Sequence, residues 1–161
     1  MRIAQMSESE AKEICTWNYP SNYACYNLPN WEECCAQGYA ITNQEKRQRE
    51  FYAIREADEL IGYFRLKSCK DGLELALGLR PDCCGKHLGE KALQIAIRKA
   101  EEEKGEVNLY LRVRCWNRRA ICVYQRGGFE IETVLPGKPG QGEMLWMRRQ
   151  KKSCIPEEKR I

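Results

Sequence analysis

The ten residues Arg80-Pro81-Asp82-Cys83-Cys84-Gly85-Lys86-His87-Leu88-Gly89 have the composition of an anion site. They lie where an alternating apolar pattern gives way to a helical one, and the first turn of a helix leaves backbone N–H groups without partners. Those donors, together with the helix dipole, favour a phosphate or pyrophosphate. Gly85 and Gly89 let such a ligand approach the backbone closely. Glycines also punctuate strand-to-helix turns for backbone reasons alone, so the pair by itself leaves both readings open.

Two strand–helix units position these residues. Leu73, Leu75, Leu77 and Leu79 alternate with Glu74, Ala76, Gly78 and Arg80, the period of a strand, and Pro81 stops it by removing a ladder donor. Leu88, Ala92, Ile95 and Ala96, widened by Leu93, Ile97 and Ala100, then predict a helix whose broad apolar face lies on a sheet. The second unit begins with Val107, Leu109, Leu111 and Val113 in alternation with Asn108, Tyr110, Arg112 and Arg114. It continues as Asn117-Arg118-Arg119-Ala120-Ile121-Cys122-Val123-Tyr124-Gln125-Arg126-Gly127-Gly128-Phe129.

In order and spacing the two units resemble motifs of the GNAT acyl-CoA N-acyltransferases. The first resembles their Gln/Arg-x-x-Gly-x-Gly/Ala turn, and the second their Asn-x-x-Ala…Tyr-x-x-x-Gly-Phe segment. The resemblance covers residues 51–149 well and the N-terminal third loosely. Cys84 stands where the family prefers Gln or Arg and His87 where it prefers Gly, while Gly89 keeps the final small residue. It implies an α+β fold, with a central mixed, mostly antiparallel sheet flanked by helices and two splayed parallel strands holding acetyl-CoA as cosubstrate. One domain over residues 1–149, with 150–161 as a flexible basic or mixed-charge tail, is the expected organisation.

For the cofactor, the resemblance implies that backbone groups around Leu77 and Leu79 bond the pantetheine amides. The turn Cys84, Gly85, Lys86, His87, Leu88 and Gly89 would cradle the pyrophosphate, the Cys84 contribution coming from its N–H. The imidazole of His87 either adds a hydrogen bond to phosphate or crowds it. Asn117 holds the cofactor or caps its helix. Acetyl transfer to a primary amine needs a proton for the departing thiolate, and Tyr124 matches the family's donor position; the alternative is a ring packed under the sheet. Glu74 is the candidate base, set against a solvated strand carboxylate with a water chain taking the proton.

Trp17, Tyr19, Tyr23, Tyr26 and Trp31 fall where the family builds its acceptor pocket, and they can equally fill a small core over the sheet. The implied partner is an amine-bearing small molecule or a peptide or protein amine, with the chain as a monomer or homodimer. If His87 blocks the pyrophosphate, the alternative is a catalytically weak, GNAT-like acyl-CoA-binding or regulatory module.

Composition sets the outer bounds. The 161 residues, 43% of them hydrophobic, suit one domain with one main core, and a net charge of +4 is too mild to imply nucleic-acid binding. No run approaches membrane-spanning length, and residues 1–10 lack a signal-like apolar stretch, so a cytoplasmic protein is expected. The ten cysteines are then reduced thiols, several of them, such as Cys115 and Cys122, in small apolar positions. Cys15, Cys25, Cys34 and Cys35 lack chelating spacing and His87 is the single histidine, so no metal site is expected.

The remaining elements follow from local signals. A strand over 2–6 precedes Ser7 and Glu10, a capping-box pair opening a helix to about residue 15. Residues 17–27 form an aromatic loop, and Asn30 caps a helix over 31–37. Hairpins are expected from 51–55 with 60–67 around Ala57-Asp58, and from 129–135 with 143–149 across a Gly/Pro-rich loop.

Overall fold

The computed structural model describes residues 1–151. Its strands are β1 (Arg2–Gln5), β2 (Phe51–Glu56), β3 (Glu59–Cys69), β4 (Gly72–Leu79), β5 (Asn108–Arg114), β6 (Glu130–Leu135) and β7 (Met144–Arg149). The helices are α1 (Glu8–Ile14), α2 (Trp31–Ala36), α3 (Gln44–Glu50), α4 (Leu88–Lys104) and α5 (Arg118–Arg126). The strands form one sheet in the order β1-β2-β3-β4-β5-β7-β6, antiparallel everywhere except between β4 and β5. This is the α+β arrangement of a mixed sheet flanked by helices.

Most expected boundaries shift by a residue or two. The first strand ends at Gln5, α2 ends at Ala36 and α4 runs on to Lys104. The connector after β4 contains a 3-10 turn, Pro81–Cys83. The helix α3 was not expected. The tail expected over 150–161 lies outside the described residues beyond Lys151, whose backbone N–H donates to Asn108 Oδ1 at 3.1 Å.

Each sheet face carries its own core because strand residues alternate sides. Leu73, Leu75, Leu109, Leu111 and Met147 meet the apolar stripe of α4, including Ala92, Leu93 and Ala96, together with Tyr124 of α5. Leu93 is fully buried, and truncating a leucine in such a site costs about 2–5 kcal/mol. On the other face, Phe51, Ala53 and Leu60 of β2 and β3 pack with Met6, Ala11, Ile14, Trp17 and Ile41. This second core reaches only the first strands of the sheet.

Of the five α-helices among the described residues, four have a side-chain N-cap. Ser7, Asn30, Asn43 and Asn117 accept from the backbone N–H three residues on, at 3.2, 2.9, 2.9 and 3.2 Å, and Glu10 completes the capping box at Ser7. The exception is α4.

Candidate active site

β4 and β5 pair at Gly72–Asn108, Leu73–Leu109 and Glu74–Tyr110, and then part. A Cβ on Gly72 would sit 2.1 Å from the Asn108 carbonyl oxygen, so this seam closes only around a glycine. Beyond it lies a cleft of about 520 Å³, walled by residues 75–79 on one side and by Arg112 and Val113 on the other. Its floor is α5, through Ala120, Val123 and Tyr124, and its far end is the start of α4.

That end of the cleft is rich in unsatisfied donors. No side chain caps α4, and among the described residues no protein acceptor meets the N–H groups of Gly85, Lys86, His87, Leu88 or Gly89. A Cβ at Gly89 would be 3.6 Å from Val123, ordinary contact, so space remains over the helix start. Gly85 has φ +76° and its Cβ position lies 3.9 Å from Arg119 Nη1. The arrangement suits a pyrophosphate.

Cys84 requires a correction. Its N–H closes the 3-10 turn by donating to the Pro81 carbonyl at 3.2 Å, so it is not a free cradle donor, although the residue borders the cleft. Lys86 is exposed and Leu88 packs on the core, so these two can contribute backbone but not cleft-lining side chains. His87 is the N-cap of α4 in a left-handed conformation, φ 59° and ψ 15°, and the residue borders the cleft. A glycine preference at this position therefore has a backbone cause as well as a steric one.

Leu77 and Leu79 both border the gap, but the Leu79 carbonyl already accepts a 2.6 Å hydrogen bond from the Tyr19 hydroxyl. Tyr124 is 9% exposed, borders the cleft, and packs edge-on against Phe129 with centroids 6.1 Å apart. Its hydroxyl has no hydrogen-bond partner among the described residues. Burial, reinforced by the neighbouring Tyr26 and Tyr63 phenols, pushes its pKa above the ordinary phenol value, so it stays protonated. Asn117 caps α5 through its Oδ1 and donates from Nδ2 to the Tyr26 hydroxyl at 3.0 Å, so the cap also tethers an aromatic residue over the cleft. Glu74 is drawn into an ion pair, its Oε1 3.0 Å from Arg112 Nε, and does not line the cleft.

The aromatic run divides between its two expected roles. Tyr19, Tyr23 and Tyr26 line the cleft, whereas Trp17 is buried in the second core with Trp31 packed against it. Among the lining residues that sequence reasoning missed are Tyr63, Arg112 and Arg119. Arg119 lies 4.6 Å from the Tyr23 ring centroid and reaches toward Gly85. Strand alternation could have placed Arg112 on the face of Glu74 once the parallel register was known. Among the described residues no group of three or more His, Cys, Asp or Glu could hold a metal ion, and no helix is long and apolar enough to cross a membrane.

A parted pair of parallel strands beside an uncapped helix start is the geometry the two motifs imply, and sequence comparison agrees with it. The model of the acetyltransferase (GNAT) family matches residues 11–129, and the chain belongs to that family, which uses acetyl-CoA as cosubstrate. A search of curated protein sequences finds no match. Among solved structures, the ribosomal-protein-S18-alanine N-acetyltransferase of Escherichia coli superposes with a TM-score of 0.69 at 18% identity, covering 99% of each chain. A spermidine N-acetyltransferase SpeG chimera from Vibrio cholerae and hSSAT gives 0.75 at 16% identity, over 92% of this chain and 94% of that one. A phosphinothricin acetyltransferase from Sinorhizobium meliloti, solved with acetyl-CoA, gives 0.65 at 14% identity, over 93% and 88%. At these identities the likeness is one of fold.

Proposed function

We propose that residues 1–149 form a single catalytic domain that moves the acetyl group of acetyl-CoA to a primary amine by direct attack, with Tyr124 protonating the departing thiolate. The observation that carries this reading is the convergence of three features on one cleft: the parted strands, the uncapped start of α4, and a buried tyrosine with an unengaged hydroxyl. Acetyl-CoA supplies a thioester whose carbonyl carbon accepts the amine as the C–S bond breaks. The backbone of residues 77–79 positions the pantetheine arm, Gly85 to Gly89 present N–H groups to the pyrophosphate, and Arg119 adds a charge beside them. Asn117 acts through Tyr26 and the start of α5. Glu74 is committed to Arg112, so the amine proton leaves through water entering from the open sheet face. The nine free thiols among the described residues support a reducing, cytoplasmic setting.

The test is a thermal-shift titration followed by a transfer assay reading free thiol. Acetyl-CoA at a hundredfold its dissociation constant should stabilise the protein by about 2.7 kcal/mol. Gly89→Glu, which meets no backbone and sets a carboxylate at the cradle, should lose that shift while melting close to wild type. An unchanged shift in this variant would sink the cradle assignment. His87 within the cradle favours one second reading, an acyl-CoA-binding module; stabilisation by acetyl-CoA with no transfer to any amine selects it.

A further inference from the structure

We infer that the acceptor carries a carboxylate beside its reactive amine, and that Arg112 reads it. The inference rests on the acetyl-transfer reading above and names its substrate class. Glu74 and Tyr110 are register partners, so Glu74, Ala76 and Gly78 of β4 share a face with Tyr110, Arg112 and Arg114 of β5. This face is opposite the one covered by α4 and α5, and the second core covers it only over β2 and β3. Beyond β3 it forms an open shelf leading into the cleft.

On that shelf Arg112 is held in one pose. Its Nε lies 3.0 Å from Glu74 Oε1, and its guanidinium lies 5.4 Å from the Trp146 ring centroid. Trp146 in turn stacks on Tyr110, 5.2 Å apart and 16° from parallel, and the Tyr110 hydroxyl donates to Asp71 Oδ2 at 2.6 Å. The side chain is nevertheless 51% exposed and borders the cleft. Neither terminal nitrogen makes a hydrogen bond to protein among the described residues. A guanidinium anchored beside Glu74 through Nε and lying over the Trp146 ring, with neither Nη1 nor Nη2 hydrogen-bonded to protein, is a preorganised fork for a carboxylate.

The surrounding charges point the same way. Among the described residues the single carboxylate lining the cleft, Glu90, is engaged by Arg126 at 2.5 Å, and the other charged lining residues are Arg112 and Arg119. Arg65, also on the open-shelf face of β3, is paired with Glu50 at 2.6 Å. Among the described residues no uncommitted carboxylate lines the cleft to receive the second ammonium of a diamine, whereas an anionic group finds a waiting partner.

The experiment offers the purified chain and acetyl-CoA a panel of α- and ω-amino acids, the corresponding amides, and diamines of matching length. The acids should exceed their amides and the diamines in kcat/KM by roughly 10- to 100-fold, as a charge-assisted bidentate contact warrants, with the difference expressed in KM. Arg112→Gln should bring the acid-to-amide ratio toward one, and Arg112→Lys should retain part of it. Acetyl-CoA thermal shifts on each variant establish that it is folded. Equal use of amides or diamines, an acid preference that survives Arg112→Gln, or acetyl-CoA binding with no acid acetylated overturns the inference and leaves the cofactor reading standing. Absence of any acetyl-CoA shift in the wild type overturns both.

Discussion

Tyr19 and Tyr26 stand edge to face, ring centroids 6.4 Å apart at 75°, with their hydroxyls fastened to opposite lips of the cleft. Tyr19 donates to Leu79 on β4, and Tyr26 accepts from Asn117 at the start of α5. Trp116 lies 5.3 Å from Tyr23 and 6.1 Å from Tyr26, extending the contact on the α5 side. The segment from Tyr19 through the 3-10 turn Ser21–Tyr26 is thus a strap across the cleft. Removing both hydroxyls, Tyr19→Phe with Tyr26→Phe, should cost about 1–3 kcal/mol through two lost hydrogen bonds. Amide exchange over residues 19–27 should accelerate selectively. Uniform loss of protection across the sheet would mean that the hydroxyls serve the fold and not the strap.

Tyr124 is the clearest catalytic candidate. Tyr124→Phe keeps the ring against Phe129 and removes only the hydroxyl that supplies the proton, so turnover should fall by roughly 10²- to 10⁴-fold with acetyl-CoA affinity and melting temperature near wild type. Because burial raises the phenol's pKa, the wild-type rate should show no alkaline loss from this donor up to a pH of about 10. Single-turnover transfer in both proteins decides between acid and spacer. Near-wild-type chemistry in the phenylalanine variant, with Tyr124→Ala destabilised, would establish the ring as packing alone.

His87 sits in backbone space that suits glycine. His87→Gly should relieve about 1 kcal/mol of left-handed strain, a rise of roughly 2–4 °C in melting temperature for a chain of this size. The residue also borders the cleft, so acetyl-CoA affinity should change in the glycine variant, tightening if the ring crowds the pyrophosphate and weakening if it donates a hydrogen bond to it. Unchanged affinity would show that the ring turns away from the phosphates.

The two motif-bearing units were legible because period-2 and period-3.6 patterns survive wherever a strand or helix has one buried face. α3 was not, for the converse reason. Its sequence, Gln44-Glu45-Lys46-Arg47-Gln48-Arg49-Glu50, has no apolar stripe, and it is docked by a polar residue. Arg47 is 4% exposed, donates to the Ile41 carbonyl at 3.0 Å, and lies 3.6 Å from Glu8 and 5.8 Å from the Trp31 ring centroid. Only the Asn43 cap announced it. Within the site, Gly89 and Tyr124 carry local signatures. The loss of the Cys84 N–H to Pro81, the left-handed turn at His87 and the facing of Arg112 depend on backbone register and on a gap between strands, which no local pattern encodes.

The short seam between β4 and β5 also changes how the sheet meets water. Past Glu74, β4 is an edge strand in the middle of a seven-stranded sheet, paired with β3 along its whole length and, among the described residues, with no strand on the other side, where the Tyr19 hydroxyl reaches it at Leu79. Amides along residues 75–79 should therefore alternate in isotope exchange, those aimed at β3 slow and those aimed at the gap fast, although all lie near the centre of the molecule. An extended ligand lying in the gap and accepting those bonds would erase the alternation, behaving toward solvent as a surrogate strand.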